Sequence, residues 1–217
     1  IGSIDKNKNI NKNKNFVKKK LKINHGKLIT MRQSHSNRVL KINKLNYKNK
    51  RFNSDAIITS VKGLALGVLT ADCVPIILFN ETNNSIGCIH AGWKGSLSGI
   101  IENTLKKIKL RKKNNKIFAC VGPCIGKKNY EVGKDLYDKF NRKSQRYKKF
   151  FSNKKRVKNL FDLRKFVNLK LKENDVYSIE NIKKDTFEES DNFFSYRRAQ
   201  KLAHKDYGRC ISVIYLI

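Results

Sequence analysis

The apolar residues of this chain fall in short runs set between polar, asparagine- or glycine-bearing segments, and the period within each run assigns its structure. Val74 to Phe79 and Ile86 to Ile89, rich in Ile and Val and separated by the turn-forming stretch Asn80 to Ser85, predict a β-hairpin. Cys73 opens the first strand and His90 closes the second, so the hairpin carries both side chains to one end of a sheet. Pro75 removes a ladder donor and points to a bulge or an edge position. The register, and the faces onto which Cys73 and His90 project, therefore stay open. Further strands are predicted at Lys27 to Met31 with Val39 to Ile42 as its continuation, at Asp55 to Thr59, Leu64 to Leu69, Ile117 to Val121, Val176 to Ile179 and Cys210 to Leu216. His35 then lies at a strand junction.

Helical spacing of Leu97, Ile100, Ile101, Leu105 and Ile108 predicts one amphipathic helix from Ser96 to Lys109. A second is predicted from Gly133 to Phe140, its exposed face continuing into a basic linker, Asn141 to Lys158. Asp162 is an N-cap for a third, Leu163 to Glu173, with Leu163, Phe166, Val167 and Leu171 turned inward. A further helix is predicted over Asn192 to Lys201, and a short one at Phe16 to Ile23. The Lys/Asn tract from Gly2 to Asn15 reads as loop or frayed terminus. Strands alternating with helices make the fold mixed α/β. The expected organisation is a poorly ordered segment, residues 1–15, before a single domain, residues 16–217.

Composition adds bounds. A chain of 217 residues suits one large domain, given about 100–200 residues per domain. Its net charge of +32 invites a nucleic-acid reading, since basic surfaces bind phosphate backbones whatever their fold. The charge is spread along the whole chain, however, and no aromatic-basic recognition module occurs. A non-catalytic nucleic-acid-binding protein stays the rival from another class, and no specific nucleic-acid partner is expected. The five cysteines, at positions 73, 88, 120, 124 and 210, are odd in number and lack short spacings, which argues for free thiols in a reducing compartment. No run approaches the ~18 apolar residues of a membrane span and no signal-peptide core is present. The cytoplasm, no membrane partner, and a monomer or homodimer are expected.

The chemistry centres on Cys73, His90 and His35. One thiolate and two imidazoles form a first shell for zinc that leaves a coordination position open, as catalytic sites do. From spacing alone the same residues read first as a buried thiol and two ordinary histidines, because no close-set ligand pair anchors them. Asp72 is either a carboxylate that orients a ligand imidazole or a turn cap. Gly92 and Lys94, at a strand-to-helix turn beside His90, offer N–H groups and a cation to an anion. Cys124, between Gly122 and Gly126, reads as lining a pocket.

The segments ADC, HAGWKGSLSGI, VGPCIG with YEVG, FDLR, FFSYRR and the closing GRCISVIYL occur in an order that resembles the laccase-domain, multicopper-polyphenol-oxidase-like family of purine nucleoside phosphorylases. The resemblance spans about His35 to the C-terminus. It implies a four-layer α/β/β/α sandwich with mixed sheets and a zinc site of His35, Cys73 and His90, with Cys73, His90 and Asp72 in catalysis. The implied activity is phosphorolysis of adenosine, inosine, guanosine and S-methyl-5′-thioadenosine to base and ribose 1-phosphate, with adenosine deamination beside it. Purine nucleoside and phosphate are thus the expected partners. Tyr196, Arg197 and Arg198 of FFSYRR would serve phosphate or ribose phosphate, although adjacent residues on a helix diverge by about 100°. A copper-dependent oxidase of phenols is the rival within the family. Copper suits one Cys and two His as well, but four histidines in all are too few for a four-copper enzyme. The chain departs from the family at Asp185, where a cysteine is usual. Family members also carry a glycine-rich strand region ahead of the point where this sequence begins, so a fragment is expected.

Overall fold

The computed structural model of the chain describes residues 7–23, 27–44, 52–109, 114–154 and 158–217. Helix α1 (Asn7–Lys20) precedes strands β1 (Lys27–Arg32), β2 (Val39–Ile42), β3 (Phe52–Asn53), β4 (Ala56–Thr59), β5 (Leu64–Thr70), β6 (Val74–Asn80) and β7 (Ser85–Ala91). Helices α2 (Trp93–Leu97) and α3 (Ile100–Ile108) follow, then β8 (Ile117–Val121), β9 (Glu131–Val132), α4 (Lys134–Lys143), β10 (Phe151–Lys154), β11 (Lys158–Phe161) and α5 (Leu163–Lys172). Strand β12 (Ser178–Asn181), helix α6 (Tyr196–Lys201) and β13 (Cys210–Tyr215) complete the order.

Six strands form one sheet in the order β12, β8, β6, β7, β4, β2, four form another in the order β13, β5, β1, β3, and β10, β11 and β9 form a small third. Both larger sheets are mixed. β6 runs antiparallel to β7 and β8, and β13 antiparallel to β5, whereas β2 with β4, β8 with β12 and β1 with β5 are parallel. The two sheets pack face to face, with Leu66 and Val68 of β5 and Ile29 of β1 in one core with Ile57, Ile86 and Cys88 of the larger sheet. On the far face of that sheet Ile58, Ile76, Leu78 and Ile89 meet Ile100, Ile101 and Leu105 of α3 and Phe166 and Val167 of α5. Because β7 is covered on both faces, all its residues are buried, which is why its sequence is a near-continuous apolar run rather than an alternation. The mixed α/β fold with mixed sheets is the architecture that the sequence predicts.

Several expectations are corrected. Pro75 is neither at an edge nor at a bulge: it is the second residue of a central strand, in register with His90, and its carbonyl accepts from the N–H of Gly122 at 2.9 Å. It lies just outside the β8 ladder, which begins at Ile76, so its missing N–H costs no sheet bond. β2 does not continue β1; the two strands belong to different sheets, and residues 33–38 cross from one to the other. The predicted helix from Ser96 to Lys109 is two helices, broken at Gly99 with φ 94°, a conformation that glycine adopts without steric cost. The tract read as a basic linker buries Tyr147 and Phe150 against Phe140 and Phe166, aromatic anchors hidden among lysines. Asp162 caps α5 as expected, accepting from the Lys165 N–H at 2.9 Å.

At the N-terminus α1 begins at Asn7, ahead of the helix expected at Phe16, with Lys18, Lys19 and Lys20 in its last turn where cations favour the helix dipole. Residues 1–6 of the segment expected to be disordered, His25, and residues 155–157 of the expected linker lie outside the described residues. In the FFSYRR segment only the residues from Tyr196 onward are helical, with the Ser195 hydroxyl accepting from the Arg198 N–H. Among the described residues no helix is long and apolar enough to cross a membrane.

Candidate metal centre

The register of the central hairpin places Cys73, one residue before β6, opposite the exit of β7, since Val74 pairs with Ala91 and Pro75 with His90. His35 arrives from the crossover between the sheets. Gln33 fastens that crossover to β5, its amide donating to the Leu69 carbonyl at 2.6 Å and accepting from the Leu69 N–H at 3.0 Å. A ligand atom from each of His35, Cys73 and His90 lies within 4.8 Å of the other two. The two imidazole centroids are 4.6 Å apart, edge to face. His90 is 4% exposed, Cys73 half-buried and His35 exposed, so the cluster is rooted in the protein at one side and open at the other.

Asp55, with no solvent exposure, holds two of the three in place. Its carboxylate accepts from the backbone N–H groups of Ser34, His35 and Ser36 at 3.2, 2.9 and 2.8 Å and from the Ser36 hydroxyl at 2.6 Å. The same carboxylate lies 2.8 Å from Nδ1 of His90, which leaves Nε2 for a cation, the usual carboxylate–imidazole support of a metal ligand. This wrapping holds His35 at φ 59°, a left-handed conformation that costs energy for any residue but glycine. Opposite, Gly92 closes the cluster. A Cβ there would stand 2.7 Å from Nδ1 of His35 and 3.0 Å from Sγ of Cys73, so only a bare Cα fits.

Charges inside this cluster are coupled. Burial acts to raise the Cys73 thiol, but the positive charge of His90 and hydrogen bonds from both imidazoles outweigh it and bring the thiol down to about 6. For His90 burial opposes the charged form, and the Cys73 thiolate with the Asp55 carboxylate overcome it, raising the imidazole to about 9. Asp55 also loses to burial less than it gains from His90 and Ser36, and is held well below the usual carboxylate range. The free cluster at neutral pH is a thiolate–imidazolium pair. Metal capture requires His90 neutral and Cys73 ionised, so between about pH 6 and about pH 9 an entering cation displaces one proton. Zinc affinity is therefore expected to rise about tenfold per pH unit across that window and more steeply below it. Chelator competition at several pH values measures this, and a flat profile would show that no proton leaves as the ion binds.

The donor set fits a metal. A thiolate and two imidazoles suit zinc at about 2.0–2.3 Å, the Asp55 support has the form expected behind a ligand histidine, and Gly92 is a cradle that a side chain would fill. Gly92→Ala is accordingly expected to weaken zinc binding by about 10–100-fold, the range seen when ligand-supporting groups are lost. Equal affinity of the two proteins would show that the strand end moves aside.

The other residues singled out from the sequence are placed differently. Asp72 does not touch the ligand imidazoles. With φ 82° its carboxylate accepts from the hydroxyls of Thr186 and Ser195 at 2.7 and 3.0 Å and from the Arg197 N–H at 2.7 Å, tying the C-terminal segment to the ADC turn. Cys124 has no exposure and cannot line a pocket; burial pushes its thiol up to about 12, Arg164 only partly offsetting it. Arg198 does not form a fork for phosphate, because its guanidinium donates to the carbonyls of Thr186, Phe187 and Phe193. Arg197 donates through Nη1 to the Glu131 carbonyl at 2.8 Å, while its Nε is buried without a partner. Tyr196 is exposed, its ring 5.0 Å from Tyr207, and Lys94 is exposed on α2. Asp185 accepts from the Asn129 amide at 2.8 Å and stands against Gly126, where a Cβ would meet it.

Asp55, Gln33 and Tyr130 carry no sequence signal that marks them as part of the site. In the sequence Asp55 is only the first residue of an apolar run, and its partners lie 19 to 21 residues before it and 35 residues after it. Tyr130 has its phenol raised above the ordinary range by burial and then by the Cys73 charge, with Arg197 acting in the opposite sense.

A family model described as multi-copper polyphenol oxidoreductase laccase matches residues 1–217. A protein of Rickettsia prowazekii named purine nucleoside phosphorylase is 37% identical over 173 residues, 79% of this chain and 71% of its own. One of Haemophilus influenzae with the same name is 32% identical over 189 residues, 86% of this chain and 73% of its own. Among solved structures, a Neisseria meningitidis protein superposes with a TM-score of 0.86 at 28% identity, covering 98% of this chain and 83% of its own.

Proposed function

On the premise that this chain belongs to the multi-copper polyphenol oxidoreductase laccase family, we propose that it is a zinc-dependent purine nucleoside phosphorylase. Its substrates on this reading are adenosine, inosine, guanosine and S-methyl-5′-thioadenosine, each cleaved with phosphate to the base and the ribose 1-phosphate. The observation that carries the reading is the convergence of His35, Cys73 and His90 within 4.8 Å in a chain whose relatives are named for that activity. His35, Cys73 and His90 would hold the ion, which when bound supplies a Lewis acid for substrate oxygen.

The chain's own residues do the rest. Asp55 fixes the His90 tautomer and the position of His35. Asp72 holds Arg197 through its backbone, and the partly exposed Arg197 guanidinium, which spends Nη1 on the Glu131 carbonyl, is the cation to meet phosphate. Arg198, Cys124 and Tyr196 have no part in this scheme. Among the described residues this is the single cluster of three or more His, Cys, Asp or Glu side chains with metal-ligand spacing. With four histidines in the whole sequence, that favours a one-metal nucleoside enzyme over a four-copper oxidase of phenols.

The test is incubation of zinc-loaded protein with adenosine, with and without phosphate, separating adenine, ribose 1-phosphate and inosine. Adenine and ribose 1-phosphate formed only with phosphate support phosphorolysis. Inosine alone would replace it with deamination, and neither product would remove the reading.

A further inference from the structure

A purine that departs neutral needs a proton, while His35, Cys73 and His90 would be committed to the ion and the Nδ1 of His90 to Asp55. Tyr130 is linked to this cluster through Arg197, whose guanidinium lies against the Tyr130 ring and whose backbone N–H donates at 2.7 Å to the carboxylate of Asp72, the residue before Cys73. The loop that carries this residue is bound to the ADC turn, the Ile125 N–H donating to the Asp72 carbonyl at 3.0 Å. Its backbone is pinned at both sides, the N–H donating to the Lys127 carbonyl at 3.3 Å and the carbonyl accepting from the Phe161 N–H at 3.0 Å. The ring is held as well, with the Phe161 ring centroid 5.8 Å away and the Arg197 guanidinium 5.7 Å from the ring centroid.

All this fixes a hydroxyl that has no hydrogen-bond partner among the described residues, yet is not sealed from solvent, since it is absent from the buried unpaired oxygens while the residue is partly exposed. A rigid phenol with an idle donor, packed on the arginine that Asp72 ties to the ADC turn, is the arrangement expected of a proton donor that waits for its substrate. Arg197 adds a second feature: a cation against the ring favours the phenolate left behind once the proton has gone.

We propose that Tyr130 is the general acid of the phosphorolysis, a role that rests on the functional reading above. As the C1′–N bond breaks, its electron pair stays with the purine nitrogen, which takes the Tyr130 hydroxyl proton. A phosphate oxygen bonds to C1′. The proton remaining on hydrogen phosphate returns through solvent to the phenolate, so that nucleoside and hydrogen phosphate become free base and ribose 1-phosphate with no net proton change.

The test compares inosine with N7-methylinosine, whose base carries a positive charge and departs without protonation. Tyr130→Phe is expected to lower kcat/KM for inosine by about 10²–10⁴-fold and to leave that for N7-methylinosine within about threefold, an effect too small to need an acid. Removing a hydroxyl that bonds to nothing leaves no buried group unpaired, so the melting temperature should not move. Equal losses on the two substrates, no loss on inosine, or a lowered melting temperature would each overturn the proposal. Wild-type protein that cleaves neither nucleoside would overturn the phosphorylase reading itself, a distinct result.

Discussion

Replacing Asp55 by alanine is expected to destabilise the protein by about 3–5 kcal/mol, the usual cost of removing one partner from a buried charged network. The carboxylate has no exposure and takes hydrogen bonds from Ser34, His35, Ser36 and His90. Its loss takes the shared acceptor from all of these donors at once. For a chain of this length about 2–4 °C accompanies each kcal/mol, so calorimetry should record a fall in Tm of roughly 6–20 °C. Zinc affinity should fall in the same variant by about 10–100-fold, because His35 loses its strained backbone conformation and His90 its orienting partner.

Asparagine should not restore it. Both carboxylate oxygens accept from N–H groups, and an amide would turn its NH₂ toward one of them. The Asp55 carboxyl is held below the usual range, so its contribution is present above about pH 4, where the unfolded side chain ionises, and is lost as pH falls toward its folded pKa. An Asp55→Ala protein as stable as wild type at neutral pH would show that the crossover from β1 to β2 does not depend on this carboxylate.

Cys73→Ala is expected to abolish phosphorolysis while sparing the fold. The thiol is half-buried at the open side of the cluster, so its removal leaves no sealed cavity. In structural sites with four protein ligands about 10–16 kcal/mol of zinc binding gives about 2.5–4 kcal/mol per ligand, and a loss of that size here lowers affinity by about 10²–10³-fold. A second readout needs no metal. Since the Cys73 thiolate is the largest favourable influence on the His90 charge, the His90 pKa should fall well below about 9 in the variant, as proton NMR would record. Full turnover by Cys73→Ala would remove the metal from the reaction, and an unchanged His90 would show that the two side chains do not interact.

Asp55 and Cys73 also show how far the sequence could be read. Cys73 and His90 were recognisable because each flanks an apolar run with a hairpin turn between them, and local pattern suffices to bring hairpin ends together. Phe166, Val167 and Leu171 were readable as the buried face of α5 for the same reason: their spacing is a property of one helix. Asp55 was not readable, because what gives it meaning is the return of the chain from β1 across to β2, a contact between segments with no common period. The aromatic residues Tyr147 and Phe150 were obscured by their lysine neighbours, since burial of a ring depends on the partner that covers it. Arg198 shows the opposite failure: an arginine in a functional motif looked free, and the nearby carbonyls of Thr186, Phe187 and Phe193 claim it.

By itself the sequence determined the α/β class, the central hairpin, the capped helix after Asp162 and the identity of a thiol and two imidazoles worth watching. Period and turn chemistry act over a few residues, and these features need nothing more. Tertiary structure alone decided that Pro75 belongs to a central strand, that Asp72 ties down the C-terminal segment while Asp55 supports the ligands, and that Cys124 is sealed in the core. Each of those outcomes depends on which distant group occupies the space around a polar atom, and that is settled only when the two sheets close on one another.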